Sequence, residues 1–192
     1  QHLYVFSILE QNKEYKKTEL EIFDIEKLTT HGGSNRVFIK KKKSNKTIND
    51  NVIEIINEEL NMGMDKFETY QKFAQNVINS KNETIKIFTE LKKKNAKIIG
   101  YGATYKSSTI LNYCGLDTKF IDYFTDTTEN KQGKFTPGTH IPIFKPTDEI
   151  NLEINHIFLG AWNFKKEIFN KEKKFIERGG KFISHVPYPQ II

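Results

Sequence analysis

The short apolar run Ala96-Lys-Ile-Ile99 leads directly into Gly100-Tyr-Gly-Ala-Thr-Tyr-Lys-Ser-Ser108, and the helical spacing of Thr109, Ile110 and Tyr113 follows at once. A strand, a tight glycine turn and a helix opening leave the helix's first amides without intrahelical carbonyls, at the positive end of its dipole. Such a turn can cradle a phosphate. Glycines also serve any strand that turns tightly into a helix, so the downstream segments carry weight. These are Asp126-Thr-Thr-Glu-Asn-Lys-Gln132 and Thr136-Pro-Gly-Thr-His-Ile-Pro142.

Beyond this turn, strand-like and helical patterns alternate. The reading is a strand at 96–101, a helix at 105–114, a strand at 119–124 and a long loop at 125–146. A strand at 154–160, a helix at 163–177 and a strand at 180–184 complete it. Alternation with short apolar strands predicts an α/β fold, a Rossmann-like parallel sheet flanked by helices. Upstream, Ser7 and Glu10 fit a capping box that opens a helix ending near Lys17. Leu20–Glu26 alternates apolar and charged residues, His31-Gly-Gly-Ser34 reads as a turn, and Asn35–Ile39 as a returning strand. One helix and an antiparallel hairpin are too little to bury a core, so a further sheet upstream is expected to complete them. Lys40–Asn51 is polar and reads as a linker. Helical spacing then extends from Asp50 to Lys94, broken at Asn61-Met-Gly63. Val52, Ile55, Ile56 and Leu60 share one face, and Phe67, Tyr70, Phe73, Val77, Ile78, Ile85, Phe88 and Leu91 form a stripe. The stripe reads as packing, with the long helix covering one face of the sheet.

The net charge of +6 comes almost wholly from lysine, with arginine only at 36 and 178. No arginine stripe interleaves with aromatics, so no nucleic-acid partner is expected. A single cysteine, Cys114, can form neither an internal disulfide nor a metal site by itself, and reads as a small buried hydrophobe. No apolar run reaches membrane-spanning length and no signal peptide is apparent, so a cytoplasmic protein without a membrane partner is expected.

Ligands of open parallel sheets bind beyond the carboxyl ends of the strands. Three segments converge there: the glycine turn, the 125–146 loop and Gly160-Ala-Trp-Asn163. Lys131, Gln132, Lys134 and His140 can reach an anion or a sugar hydroxyl, while Pro137, Gly138 and Pro142 restrict the loop. Lys106 and Ser107 can add a charge and a hydroxyl to the cradle, although Lys106 fits a solvated role too. Trp162 fits either a core position or a stacking platform. One rival reading is a non-catalytic binding or assembly module, with the glycine turn serving only packing; another is an NAD-like dinucleotide site, since Asp122 lies about twenty residues past Gly102. Against it, Tyr105 replaces the third glycine, and Asp126 is the better strand-end acid.

Taken in order, Gly100-Tyr-Gly-Ala-Thr-x-Lys-Ser, Asp126-Thr-Thr-x-x-Lys-Gln and Thr136-Pro-Gly-x-His-Ile-Pro resemble the carboxy-terminal domain of S-adenosylmethionine-dependent sugar C-methyltransferases. The upstream His2-x-x-Tyr-x-Phe-Ser7, Asp24-x-Glu26 and His31-Gly-Gly-Ser-x-Arg36 resemble the end of that family's donor-binding domain. The resemblance implies two parts: residues 1–43 as the end of a truncated methyltransferase domain, and 44–192 as the carboxy-terminal Rossmann-like domain. It implies a nucleotide-linked 4-keto-deoxyhexose as substrate, methylated at C3, in deoxysugar biosynthesis. It places S-adenosylmethionine mainly in an upstream domain and zinc in a still earlier cysteine-bearing one, so the chain by itself is expected to be inactive. The 4-keto group acidifies the C3 proton, and a base of near-neutral pKa is needed to take it. The family's Tyr-His-Glu-His run matches His2 at its last position, with Gln1 where glutamate is expected. The implied substrate-facing set is Gly100, Tyr101, Gly102, Ala103, Thr104, Lys106, Ser107, Asp126, Lys131, Gln132, Pro137 and His140. His31 fits the interdomain cleft or a packed turn, and Arg36 a ligand carboxylate or a domain-boundary cap.

Overall fold

The structure, a computed structural model, describes residues 5–147 and 149–192. The chain divides into two compact units, one running to Gln75 and the other spanning Asn76–Ile192.

In the first unit, helix α1 (Ile8–Lys16) is capped by Ser7, whose hydroxyl accepts the Glu10 amide at 3.1 Å. The expected box is only half made, because the Glu10 carboxylate turns outward to Lys13 at 3.4 Å. The remaining amides of the first turn go elsewhere: Ile8 and Leu9 donate to the two carboxylate oxygens of Glu59, at 3.0 and 2.6 Å. Strands β1 (Leu20–Leu28) and β2 (Ser34–Lys41) pair antiparallel, from Leu20↔Lys41 to Leu28↔Ser34, with a bulge between Ile22 and Asp24. Helix α2 (Asp50–Asn61) carries Glu59 and buries Val52 and Ile55 against Ile8, Ile22 and Ile25. The boundary expected at 43/44 therefore falls inside this unit.

Helix α3 (Phe67–Lys93) begins in the first unit and ends in the second. Its apolar stripe is not all packing. Phe88 and Leu91 are buried and Ile85 partly so, whereas Phe67, Tyr70, Phe73, Val77 and Ile78 are exposed. Helical spacing reveals a shared face, and only the structure reveals whether anything covers it.

The second unit holds β3 (Ile98–Tyr101), α4 (Tyr105–Cys114), β4 (Phe124–Thr125), β5 (Ile143–Phe144) and β6 (His156–Leu159). Then come α5 (Lys165–Lys171), α6 (Lys173–Glu177), β7 (Lys181–Ser184) and β8 (Gln190–Ile191). The sheet order is β5-β4-β3-β6-β7-β8, parallel except for β8. From β3 the chain winds out to β4 and β5, then returns to build β6, β7 and β8 on the other side. The winding reverses between β3 and β6.

Alternation along the strands gives the sheet two apolar faces. Ile98, Phe124, Phe158 and Ile183 pack with Phe88 and Leu91 of α3 and Leu111 of α4. Ile99, Ile157, Leu159 and Phe182 pack with Ile168 of α5 and Phe175 of α6. Phe88 meets Phe158 edge-on at 5.7 Å between ring centroids, and each buried phenyl contributes about 1.5–3 kcal/mol. Cys114 is buried in the first of these faces.

Three expected elements differ. The strand expected at 119–124 is reduced to Phe124–Thr125, because Asp117 caps a turn by accepting the Lys119 amide at 2.9 Å. The helix expected at 163–177 opens as a 3-10 turn over Trp162–Phe164 and breaks at Glu172. The long loop contains a 3-10 turn, Glu129–Lys131, and ends in β5. Among the described residues, no helix is long and apolar enough to cross a membrane.

Candidate functional site

The carboxyl ends of β3, β4 and β6 meet at the reversal point of the sheet, where open α/β sheets take their ligands. A cleft of about 460 Å³ opens there. Tyr101, Gly102 and Thr104 line it from the end of β3, and Thr125, Asp126, Thr128 and Lys131 from the end of β4. Ala161, Phe164, Glu167, Ile168 and Lys171 line it from the segment after β6. A second hollow, about 430 Å³, lies beside the start of α4 and includes Ala103, Tyr105, Ser108, Asn130, Lys134, Phe135 and Pro137. Thr104 and Lys131 belong to both.

The glycine turn is tightly built. Gly102 has φ +82°, and a Cβ there would stand 2.6 Å from the Ala161 Cβ, so the ends of β3 and β6 can approach only through glycine. Gly100 serves packing instead of the ligand: its missing Cβ leaves room for the Phe124 ring, 2.3 Å from where that atom would sit.

The start of α4 differs from the open cradle expected from the motif. Thr104 and Ser107 form a reciprocal capping box: the Thr104 hydroxyl accepts the Ser107 amide at 3.1 Å, and the Ser107 hydroxyl accepts the Thr104 amide at 2.8 Å. Ser107 is fully buried and its hydroxyl also reaches the Thr104 carbonyl at 2.7 Å, so it faces the protein and not the cleft. The Thr104 hydroxyl is 3.1 Å from the Gly160 carbonyl, tying the helix start to the end of β6. Two donors remain. The amides of Tyr105 and Lys106 lie in the first turn, where no intrahelical carbonyl reaches them. Lys106 places its ammonium 4.7 Å from the centroid of the Trp162 ring. Trp162 is itself half-buried against the second apolar face, so it fills a core position and supports a cation.

Asp126 follows β4 directly and is 7 % exposed. Its carboxylate accepts the Thr128 amide at 2.8 Å and pairs with Lys131 at 3.0 Å. Burial opposes its ionisation, yet the Thr128 amide and the Lys131 ammonium outweigh burial and hold its carboxyl below the usual range. Gln132 donates to the Asp126 carbonyl at 3.0 Å and lines a shallower hollow with Thr127 and Lys171. Asp122 lies at the other end of that strand segment, where its amide donates to the Ile98 carbonyl and its carboxylate is 3.6 Å from Lys92. Tyr101 donates its hydroxyl to Glu172 at 3.0 Å across the break between α5 and α6. Burial, then the Glu172 charge, push its pKa far upward, so the phenol stays protonated.

The remaining expected residues are dispersed. The Pro137 carbonyl accepts from Asn112 at 2.9 Å. His140 is exposed, with φ +54°, and lines neither hollow. In the first unit Arg36 is spent on Glu26, its cross-strand partner, at 2.7 Å. The His31 backbone lies in the 3-10 turn Thr30–Gly32, and its side chain is outside the described set. His2 lies outside the described residues. Sequence reasoning missed Glu167 and Lys171, which flank Ile168 and Phe169 in a helix whose charged positions look solvated. Their only signal was location, on the first helix after β6.

A dinucleotide would place its ribose diol on an acid at the end of the second strand; Asp126 stands at that position, its carboxylate accepting the Thr128 amide and paired with Lys131.

Residues 29–187 match the C-methyltransferase C-terminal domain. The chain belongs to that family. It is also 32 % identical over all 192 residues to the C-methyltransferase NovU of Streptomyces niveus. That match covers 46 % of NovU, so the chain spans about half the length of the curated relative. The matched span begins after β1 and ends before β8, so it takes in β2 of the hairpin and the parallel strands β3 to β7 of the sheet.

Proposed function

We propose that this chain is the substrate-holding part of a methyltransferase that transfers a methyl group from S-adenosylmethionine to carbon in a nucleotide-linked keto-deoxysugar. The observation that carries the reading is the open cleft at the sheet's reversal point, on a chain of the C-methyltransferase C-terminal domain family. S-adenosylmethionine supplies an electrophilic methyl group, and no residue described here is assigned to it. The chain's own part is binding and orientation. The Tyr105 and Lys106 amides, without a backbone acceptor among the described residues, would donate to a diphosphate at the helix dipole's positive end. Lys131 adds a cation whose position is fixed by Asp126. Thr128 and Glu167 offer a hydroxyl and a carboxylate of the kind that bind sugar hydroxyls. A histidine base would remove the proton beside the ketone, and His2 is the candidate for it.

The test uses the intact protein with S-adenosylmethionine and a nucleoside-diphosphate 4-keto-deoxyhexose. The reading expects S-adenosylhomocysteine to accumulate in step with a sugar nucleotide heavier by one methylene. Turnover of the donor on an unrelated acceptor, with the sugar nucleotide unchanged and unbound, would refute it.

A further inference from the structure

Helix α3 carries one apolar face that is buried only in its second half. Thr84, Phe88 and Leu91 lie inside, whereas residues 70–79 are exposed without exception. On that outer stretch Phe67 is 70 % exposed, Tyr70 50 %, Phe73 67 %, Val77 36 % and Ile78 44 %. At about 3.6 residues per turn these five fall on one side of the helix, in line with Phe88 and Leu91. They present about 500 Å² of mainly apolar surface, taking about 200 Å² for a whole aromatic residue. That is the upper end of the largest patch an ordinary monomer shows. The Tyr70 hydroxyl donates to the Met64 carbonyl at 2.7 Å, so its ring is held in place before a partner arrives.

The charge around this stripe indicates what covers it. The chain is lysine-rich with a net charge of +6, so two copies meet with net repulsion. The stripe escapes that rule. Between positions 67 and 80 the only charged residues are Glu68 and Lys72, one of each sign, and helical spacing puts both on the side away from the stripe. The stripe is bordered by Thr69, Gln71, Asn76 and Ser80, all uncharged. In a two-fold dimer one patch faces itself, so a border charge near the axis would meet its own copy. A foreign partner of a cationic protein is steered by acidic groups, and its docking face would keep lysines at the rim.

The size agrees with self-association. Two such stripes bury about 1,000 Å² together, the threshold for a specific yet reversible contact. We infer that the exposed half of the α3 stripe is the interface of a two-fold homodimer, with Phe67, Tyr70, Phe73, Val77 and Ile78 packed against the same residues of a second copy. Pairing also supports a stretch of helix that has no tertiary packing of its own, where propensity alone stabilises weakly.

Sedimentation velocity of the intact protein, from about 1 to about 100 μM, spans the affinities such an area supports. The parent should pass from monomer to dimer within that range. Phe67→Gln/Phe73→Gln should raise the dissociation constant about tenfold or more, since the two rings are a large share of so small an interface. Gln71→Lys/Asn76→Lys keeps every stripe residue but sets like charges across the two-fold axis. It should weaken the dimer too, and added salt should restore it. All four positions are exposed, and the far-ultraviolet spectra are expected to match the parent's. If the ring variant fails to fold, the lysine variant alone decides. A parent that stays monomeric across the range overturns the inference, whether the stripe is then bare or shielded by another part of the same polypeptide. Equal association in the parent and both variants places the dimer contact elsewhere and overturns it as well. Weakening by the ring variant alone, with the lysine variant unaffected, contradicts a two-fold pairing on this stripe.

Discussion

Ser107→Ala separates the structural from the ligand-facing reading of the glycine-turn motif. The substitution removes a hydroxyl that accepts the Thr104 amide at 2.8 Å and reaches the Thr104 carbonyl at 2.7 Å, in a fully buried position. The Thr104 amide keeps a second acceptor, the Gly102 carbonyl at 3.0 Å, so it is not left wholly unpaired. The Thr104 hydroxyl still caps the Ser107 amide. Half a capping box is therefore lost, with no cavity larger than one oxygen, and the expected destabilisation is about 1 kcal/mol. For a chain of this length that is a fall of about 2–4 °C in the unfolding midpoint. Thermal unfolding followed by circular dichroism reads the first quantity, and calorimetric titration with UDP reads the second. The expected result is a lowered midpoint with unchanged UDP affinity. An unchanged midpoint with affinity reduced tenfold or more would put the Ser107 hydroxyl on the ligand and refute the reasoning.

Glu59→Ala strips both carboxylate bonds from the Ile8 and Leu9 amides and should destabilise the first unit by about 3–6 kcal/mol, since charge-assisted bonds contribute about 1.5–3 kcal/mol each. Hydrogen exchange at those two amides should accelerate, and unchanged exchange would show that Glu59 is not their acceptor. Gly102→Ala forces a side chain into positive φ with its Cβ 2.6 Å from Ala161, and should cost about 2–4 kcal/mol together with the cleft's affinity. A stable, fully binding variant would count against the tight β3–β6 junction. Burial of His185 lowers its pKa from 6.5 to about 4. The unfolded chain therefore takes up a proton below about pH 6.5 that the folded chain refuses until about pH 4, so stability falls as pH drops through that window. The full shift corresponds to about 3 kcal/mol. His185→Phe, next to Phe158, should flatten this acid limb of denaturant unfolding, and an unaltered limb would place the histidine in water.

The second unit's architecture was readable because local and global signals agree there. Helix α4 begins at an N-cap threonine and ends before Gly115 in the left-handed region, so both ends are marked in sequence. Strands β3, β6 and β7 are short apolar runs buried on both faces, and their alternation with helices dictates a parallel sheet. Strands β5 and β8 span two residues each and leave no periodicity to detect. The break at Glu172 was hidden because that carboxylate's partner, Tyr101, lies 71 residues away.

The candidate site was legible as a place more than as a set of contacts. The glycine turn, the start of the 125–146 loop and the segment after Gly160 do line one cleft, as their places at the carboxyl ends of the strands implied. Individual roles were harder. Gly100 and Ser107 belong to the motif, yet one makes room for Phe124 and the other closes a capping box. Spacing does not distinguish a donor turned toward a ligand from one turned toward the backbone. The exposed half of the α3 stripe illustrates the same limit, because periodicity specifies a face and not its partner.

A crystal structure of the intact protein with a nucleoside-diphosphate sugar is the most direct measurement. The account predicts diphosphate oxygens within hydrogen-bonding distance of the Tyr105 and Lys106 amides, with the Lys131 ammonium alongside. A ligand bound elsewhere, with the cleft between Gly102, Asp126 and Ala161 holding only solvent, would contradict it.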